Sequence, residues 1–339
     1  MLATNNERSD SSINFSRNSN GSYLDNESLE PIEGTLNSNG QGLYYTSNLS
    51  KTENNKRVYY YRGEVENNYV IFANYCWRIV RSNENNSIKL RFGGTPTEGV
   101  CPQTGTSVGI TFANNLFNVA GSSHKYVGYM FGISCSNGNL STSNCYNNEN
   151  SSTIKINLET WYSTNISNQG TSVTNLIVDT PFCYDRNVST IADDTVYYAG
   201  FTRLIDKDIS WDWNNNPNAA PQFKCDRALD KLSVTDGTLT YPIGLLTSDE
   251  AAYAGTLPFL PNENNYLNTS DWYWIGTPLT ATDTSAQVYA IYTDGRVSFD
   301  DVATATDNVG MPVISISYEA TVSSGNGTYS TPFVIDTTN

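Results

Sequence analysis

Trp272-Tyr-Trp-Ile275 and Gln287-Val-Tyr-Ala-Ile-Tyr-Thr-Asp-Gly-Arg-Val-Ser-Phe299 carry the clearest β signal in the chain. Both runs are dense in aromatic and β-branched residues, which suit a pleated surface. Between Tyr292 and Val297 stands Asp294-Gly295. That dipeptide predicts a type I′ hairpin turn, whose two central residues both need positive φ. Alternation along the first run places Trp272 and Trp274 on one face and Tyr273 on the other. The tryptophans are expected in the core and Tyr273 nearer the surface. Met311-Pro-Val-Ile-Ser-Ile316 reads as a further strand, with Pro312 near its start, where a missing N–H is tolerated.

Two helices stand upstream of these strands. Thr247-Ser-Asp-Glu250 is a capping box, with Leu246 and Ala251 as a possible staple and Gly255 as the stop. Further back, Ser151 or Ser152 can cap a helix. In it Ile154, Leu158, Trp161, Tyr162 and Ile166 recur at helical spacing, a core-facing stripe. Nearer the N-terminus, Leu43-Tyr-Tyr45, Val58-Tyr-Tyr-Tyr61, Tyr69-Val-Ile-Phe72 and Trp77-Arg-Ile-Val80 form a meander of short antiparallel strands. Ser87-Ile-Lys-Leu-Arg-Phe92 alternates with period two, as a half-buried strand does. Residues 93–150 are rich in loops. Residues 1–40 have the composition of an extended polar arm or linker, with Ser12-Ile-Asn-Phe-Ser16 its only strand-like piece. The class is α+β, with one domain over 41–336 whose first part, 41–150, is β-rich.

The 339 residues carry 34 Asp and Glu against 19 Lys and Arg, a net charge of −15. Such a surface repels phosphate, which argues against nucleic acid and anionic membranes as partners. No stretch of 18 apolar residues reads as a transmembrane helix, so no membrane insertion is expected. Met1-Leu-Ala-Thr-Asn-Asn has neither the basic start nor the apolar run of a signal peptide, and the chain reads as a mature or truncated ectodomain. A single histidine excludes zinc sites built from two or three. His124 lies in the turn-like run Gly121–Tyr126 and reads as a solvated loop residue. The six cysteines, Cys76, Cys101, Cys135, Cys145, Cys183 and Cys225, include no C-x-x-C pair. Their even number and wide spacing indicate disulfides in an oxidising, extracellular compartment. Fifteen connectivities are open, and proximity favours Cys135–Cys145.

Taken in order, several motifs resemble a family of uncharacterised surface proteins of low-GC Gram-positive bacteria and mollicutes. They are Gly42-Leu-Tyr-Tyr, Tyr61-Arg-Gly-Glu-Val-Glu-Asn-Asn-Tyr-Val-Ile-Phe72, Cys76-Trp-Arg-Ile-Val-Arg81, Tyr126-Val-Gly-Tyr-Met130, Phe182-Cys-Tyr-Asp-Arg186 and Leu239–Gly255. The ending fits too: Trp272-Tyr-Trp-Ile-Gly-Thr-Pro278, the Asp-Gly hairpin, Val309-Gly-Met-Pro-Val-Ile-Ser315 and a Gly-Asn-Gly-Thr tail. Members often follow a prepilin-like helix or a lipoprotein signal. The family usually carries Arg where Met311 stands, so any role of that Arg is absent here. The terminal pattern is similar to the C-type-lectin-like fold shared with sulfatase-modifying enzymes. That resemblance implies a mixed β-sheet with two helices, long loops and an N-terminal β meander. It also implies the pairs Cys76–Cys101 and Cys183–Cys225, which leave Cys135–Cys145.

No Cys follows Cys225, so formylglycine generation, which needs reactive cysteines late in the chain, is excluded. The carboxylate pairs Asp193-Asp194, Asp206/Asp208 and Asp300-Asp301 could serve a glycosidase but read as solvated loop charges. No cofactor is expected. Calcium has a candidate cluster in Trp211-Asp-Trp-Asn-Asn-Asn216 but no D-x-[DN]-x-[DN]-G loop. In the resembling fold the terminal hairpin presents ligand contacts. The expected binding set is Tyr273, Tyr289, Arg296, Phe299, Asp300 and Asp301, an aromatic-plus-Asp surface suited to a sugar or a protein. The expected function is a non-catalytic adhesin or receptor domain at the bacterial surface, binding a glycan or protein. The alternative is a subunit of a surface filament that self-associates through its N-terminal arm; a secreted hydrolase ranks below both.

Overall fold

The computed structural model describes residues 7–12, 41–132, 143–206, 208–210, 220–256 and 258–338. The first sheet takes strands from both ends of the chain. Its early strands are β1 (Glu7–Ser9), β2 (Gly42–Tyr45), β3 (Tyr59–Arg62), β4 (Tyr69–Phe72), β5 (Tyr75–Ser82) and β6 (Ile88–Phe92). The second sheet begins with β7 (Val188–Ala192) and β8 (Thr195–Tyr198) and continues with β9 (Trp272–Ala281), β10 (Ala286–Ile291), β11 (Val297–Asp301) and β12 (Asn308–Val309). The chain then returns to the first sheet with β13 (Val313–Ile316), β14 (Val322–Ser324) and β15 (Phe333–Ile335).

The first sheet runs β1-β2-β3-β5-β4-β15-β14, with β6 on the other edge of β5 and β13 beyond β6. β1 is parallel to β2 and β15 is parallel to β4, while the remaining pairs are antiparallel. The second runs β7-β8-β9-β10-β11, with β12 parallel to β9. The architecture is a mixed, sheet-rich α+β fold, as expected. No helix among the described residues is long and apolar enough to cross a membrane.

Both helices expected from the sequence are present. α1 (Thr153–Asn165) is capped by Ser152, whose side chain accepts from the Lys155 amide. Its stripe packs inward: Ile154, Leu158 and Tyr162 are buried, and Trp161 meets Trp77, Phe92 and Tyr75 edge-on or tilted. A short helix the sequence did not announce, α2 (Ala199–Leu204), follows β8 directly. α3 (Ser248–Tyr253) has both halves of its capping box formed, and Gly255 adopts φ +89°, a left-handed value that ends the helix.

Two local expectations are corrected, and a third falls largely outside the described residues. The Asp294-Gly295 turn is not type I′, because only Gly295 (φ +75°) has positive φ. The Gly295 amide bonds Tyr292 O and the Tyr292 amide bonds Arg296 O, the pattern of a type I turn closed by a glycine bulge. Two-residue turns with both φ positive occur instead at Ala73-Asn74, joining β4 to β5, and at Asp193-Asp194, joining β7 to β8. The second assignment makes that carboxylate pair a turn. β6 is not half-buried either: Lys89 and Arg91 on its polar face are as enclosed as Leu90 on the other, because Glu250 of α3 and the loop at Tyr266 cover the first face and Trp161 of α1 packs on the second at Phe92. In the arm a strand lies at Glu7–Ser9, with Ser12 in a following 3-10 turn, and the rest of the expected piece, Ile13 to Ser16, lies outside the described residues.

The disulfides Cys76–Cys101 and Cys183–Cys225 are formed, with Cα atoms 5.7 and 5.6 Å apart, and no described cysteine is free. Cys135, and with it the expected pair Cys135–Cys145, lies outside the described residues. Replacing Cys183 and Cys225 by Ala removes a cross-link between positions 42 apart. In the chain-entropy account this lowers stability by about 4 kcal/mol, to be read as a lower denaturant midpoint at unchanged slope.

Candidate functional site

The structure divides the six residues expected to bind. Tyr273 and Tyr289 are core, each with no exposed surface, contrary to the expected exposure. The loop before β9 covers Tyr273, whose hydroxyl donates to Leu267 O (2.8 Å); α2 covers Tyr289, whose hydroxyl donates to Gly200 O (3.1 Å). Trp274 is buried, but Trp272, at the strand's start, is half-exposed and stacks on Tyr292 at 4.4 Å with the rings within 2° of parallel. Arg296 lies over the Tyr292 ring at 5.2 Å. Phe299 is half-buried, edge-on to Phe259.

The two aspartates are held by their own neighbours. Asp300 accepts from the Tyr292 hydroxyl (3.0 Å) and the Asn308 amide (2.8 Å), and burial raises its pKa. Asp301 accepts from Ser122 and Ser285 hydroxyls and from the Ala303 amide. These are loop-closing roles. His124 is not solvated but only 1% exposed, with its Nδ1 3.1 Å from Asp283. Burial lowers its pKa, against the opposing charge of Asp283.

A different place has the geometry of a site. A cleft of about 280 Å³ opens between the β5–β6 end of the first sheet, the N-terminus of α3, and the segments joined by Cys183–Cys225. That volume lies near the lower end for small-molecule pockets. Arg81 and Lys89 face each other in register on β5 and β6. Between them the capping box sets Glu250, whose Oε1 is 2.8 Å from Arg81 Nε and 2.7 Å from Lys89 Nζ, while Oε2 accepts from the Thr247 amide. Burial disfavours the ionised carboxylate, but Lys89 and Arg81 outweigh it and push its pKa down to about 2. Burial lowers the Lys89 pKa despite Glu250.

On the opposite wall Arg203, from α2, clamps both oxygens of Asp249 at 2.7 Å and reaches Asp185 at 3.0 Å. Glu53 takes the Cys225 amide and Lys231 Nζ, both at 2.9 Å, and Glu84 pairs with Arg81. Every lining carboxylate is therefore engaged. Lys56 and Lys224 are exposed on the lining and have no acidic partner among the described residues. Asn83, 1% exposed, leaves its Oδ1 without a donor. On a chain of net charge −15 the cleft keeps its uncommitted charge positive.

No protein-family model, curated protein or solved structure matches the chain. Among the described residues no group of three or more His, Cys, Asp or Glu is placed to hold a metal ion, and Trp211–Asn216, the run considered for calcium, lies outside them. Sequence reasoning marked Glu250 as a helix cap and missed the cleft. The available signal was Lys89 and Arg91, charges alternating with apolar residues in a strand, which announce either solvent or an internal ion network.

Proposed function

We infer that the chain is a non-catalytic, extracellular binding domain of a bacterial surface, and that the cleft takes an acidic sugar. The observation that carries this reading is the imbalance of the lining: five neutralised carboxylates beside the unpaired ammonium groups of Lys56 and Lys224. A carboxylate on the ligand would meet those ammonium groups, and a ligand hydroxyl would meet Asn83 Oδ1. Apart from these two ammonium groups the lining charges are locked in small networks, which suits preformed recognition. Both cysteines of one disulfide stand in the wall, which supports an oxidising compartment. The C-type-lectin-like arrangement belongs to the same reading, supported by the order of α1, α3 and the terminal strands.

Lys56→Glu combined with Lys224→Glu is expected to weaken binding of an acidic monosaccharide at least tenfold, with no change in Tm, because both side chains are solvent-exposed. Titration calorimetry at two salt concentrations reads the effect. Wild-type protein that binds no acidic sugar on a glycan array, or a double variant that binds as well as wild type, would overturn the assignment.

A second reading, the filament subunit, draws on β1. Three residues add a strand to the sheet edge, and Asp10 behind them accepts from the Ser47 amide and hydroxyl and from the Tyr60 hydroxyl. The same strand supplied by a neighbouring copy would link subunits. Negative-stain images of native material that contained only monomers would remove this reading.

A further inference from the structure

One face of the β5–β6 pair carries four buried cations. Arg81 opposes Lys89, Arg78 opposes Arg91, and Lys89 and Arg91 stand two residues apart on the same side of β6. Glu250, shared by Arg81 and Lys89, and Glu84, paired with Arg81, neutralise the first rung. The second has no carboxylate: among the described residues neither Arg78 nor Arg91 forms an ion pair.

Arg78 is nonetheless satisfied. Its nitrogens donate to Asn68 Oδ1 (2.7 Å), Thr104 Oγ1 (2.9 Å) and Val65 O (2.6 Å), and it lies 3.7 Å over the Tyr69 ring. Arg91 is 2% exposed and donates only from Nη2, to Tyr266 O at 3.2 Å; its Nε and Nη1 meet no acceptor. The hydroxyl of Tyr266, a residue with no exposed surface, has no partner either, and its ring lies 5.4 Å from the Arg78 guanidinium. Tyr266 thus has one guanidinium at its backbone oxygen and another near its ring, with Arg91 Nε and Nη1 and its own hydroxyl left over and a surplus of positive charge. Unpaired interior charge and unmade hydrogen bonds are both costly.

We propose that this second rung is a binding site for a small monovalent anion of the halide class, held by Arg91 Nε and Nη1 and by the Tyr266 hydroxyl. The donor set selects an anion over water. Guanidinium N–H groups only donate, so a water there finds a single acceptor, the Tyr266 hydroxyl oxygen, for its two hydrogens. An anion accepts from every donor and cancels one of the two charges. The site is separate from the cleft and independent of the sugar-binding reading.

The test uses the whole protein exchanged into sodium bromide. Anomalous diffraction at the bromine edge is expected to place bromide within hydrogen-bonding distance of the Arg91 guanidinium. In solution, replacing gluconate by bromide at constant ionic strength is expected to raise Tm with the logarithm of bromide concentration, by about 4 °C at one hundred times the dissociation constant. Arg91→Gln is expected to abolish that rise, and Tyr266→Phe to reduce it. If Arg91→Gln does not fold, Tyr266→Phe and the wild-type crystals carry the test. Ordered water instead of bromide at Arg91, a wild-type Tm insensitive to bromide, or a rise undiminished in Tyr266→Phe would overturn the proposal.

Discussion

Glu250→Gln is expected to cost about 3–5 kcal/mol of stability, since it removes one partner of a buried ion cluster and leaves two buried cations facing each other. Arg81 and Lys89 sit in register on adjacent strands, with side chains 7% and 1% exposed, and Glu250 Oε1 is the acceptor they share. Chemical denaturation reads the loss; a change under about 1 kcal/mol would mean that the cations are served by solvent. The same carboxylate sets an acid limit. Its folded pKa, about 2, lies below the unfolded value of 4.5, so its contribution is complete above about pH 4.5 and is lost as the pH falls toward 2. The depression corresponds to roughly 3 kcal/mol. The pH dependence of unfolding between 5 and 2 should therefore flatten in Glu250→Gln.

Tyr289→Ala is expected to unfold or severely destabilise the protein, by about 3–5 kcal/mol, as large aromatic truncations in cores do. The ring has no exposed surface, and the deletion also removes the hydroxyl bond to Gly200 O. Tyr289→Phe keeps the ring and is expected to cost only about 1 kcal/mol. Phe299→Ala, at a half-buried position against Phe259, is expected to lie between the two. If Tyr289→Ala remained as stable as wild type but lost ligand, the side chain would be a surface contact after all.

Local chemistry was legible where it is self-contained. The capping box at Thr247–Glu250 and the stripe from Ile154 to Ile166 depend on residues within a few turns of one another, and both formed as read. The strands were legible as strands, but their faces were not. Tyr273 and Trp272 are adjacent, and alternation alone cannot say which one the preceding loop will fold back to cover. Lys89 illustrates the same limit. Its burial depends on Glu250, 161 positions away, and nothing in the run Ser87–Phe92 announces that partner. The Asp-Gly turn misled for a related reason, since a type I turn with a glycine bulge uses the same dipeptide as a type I′ turn.

β15 is parallel to β4, with Phe333 beside Val70 and Val334 beside Ile71. During synthesis from the N-terminus, the early strands emerge long before the partners that flank them. β4 has one edge bare until β15 arrives, and β6 waits in the same way for β13. Pairings of such sequence separation are slow to find, and a bare edge is an invitation to aggregate. Until they emerge, β4 and β6 each keep an open edge, and β15 and β13 act as latches on strands made far earlier.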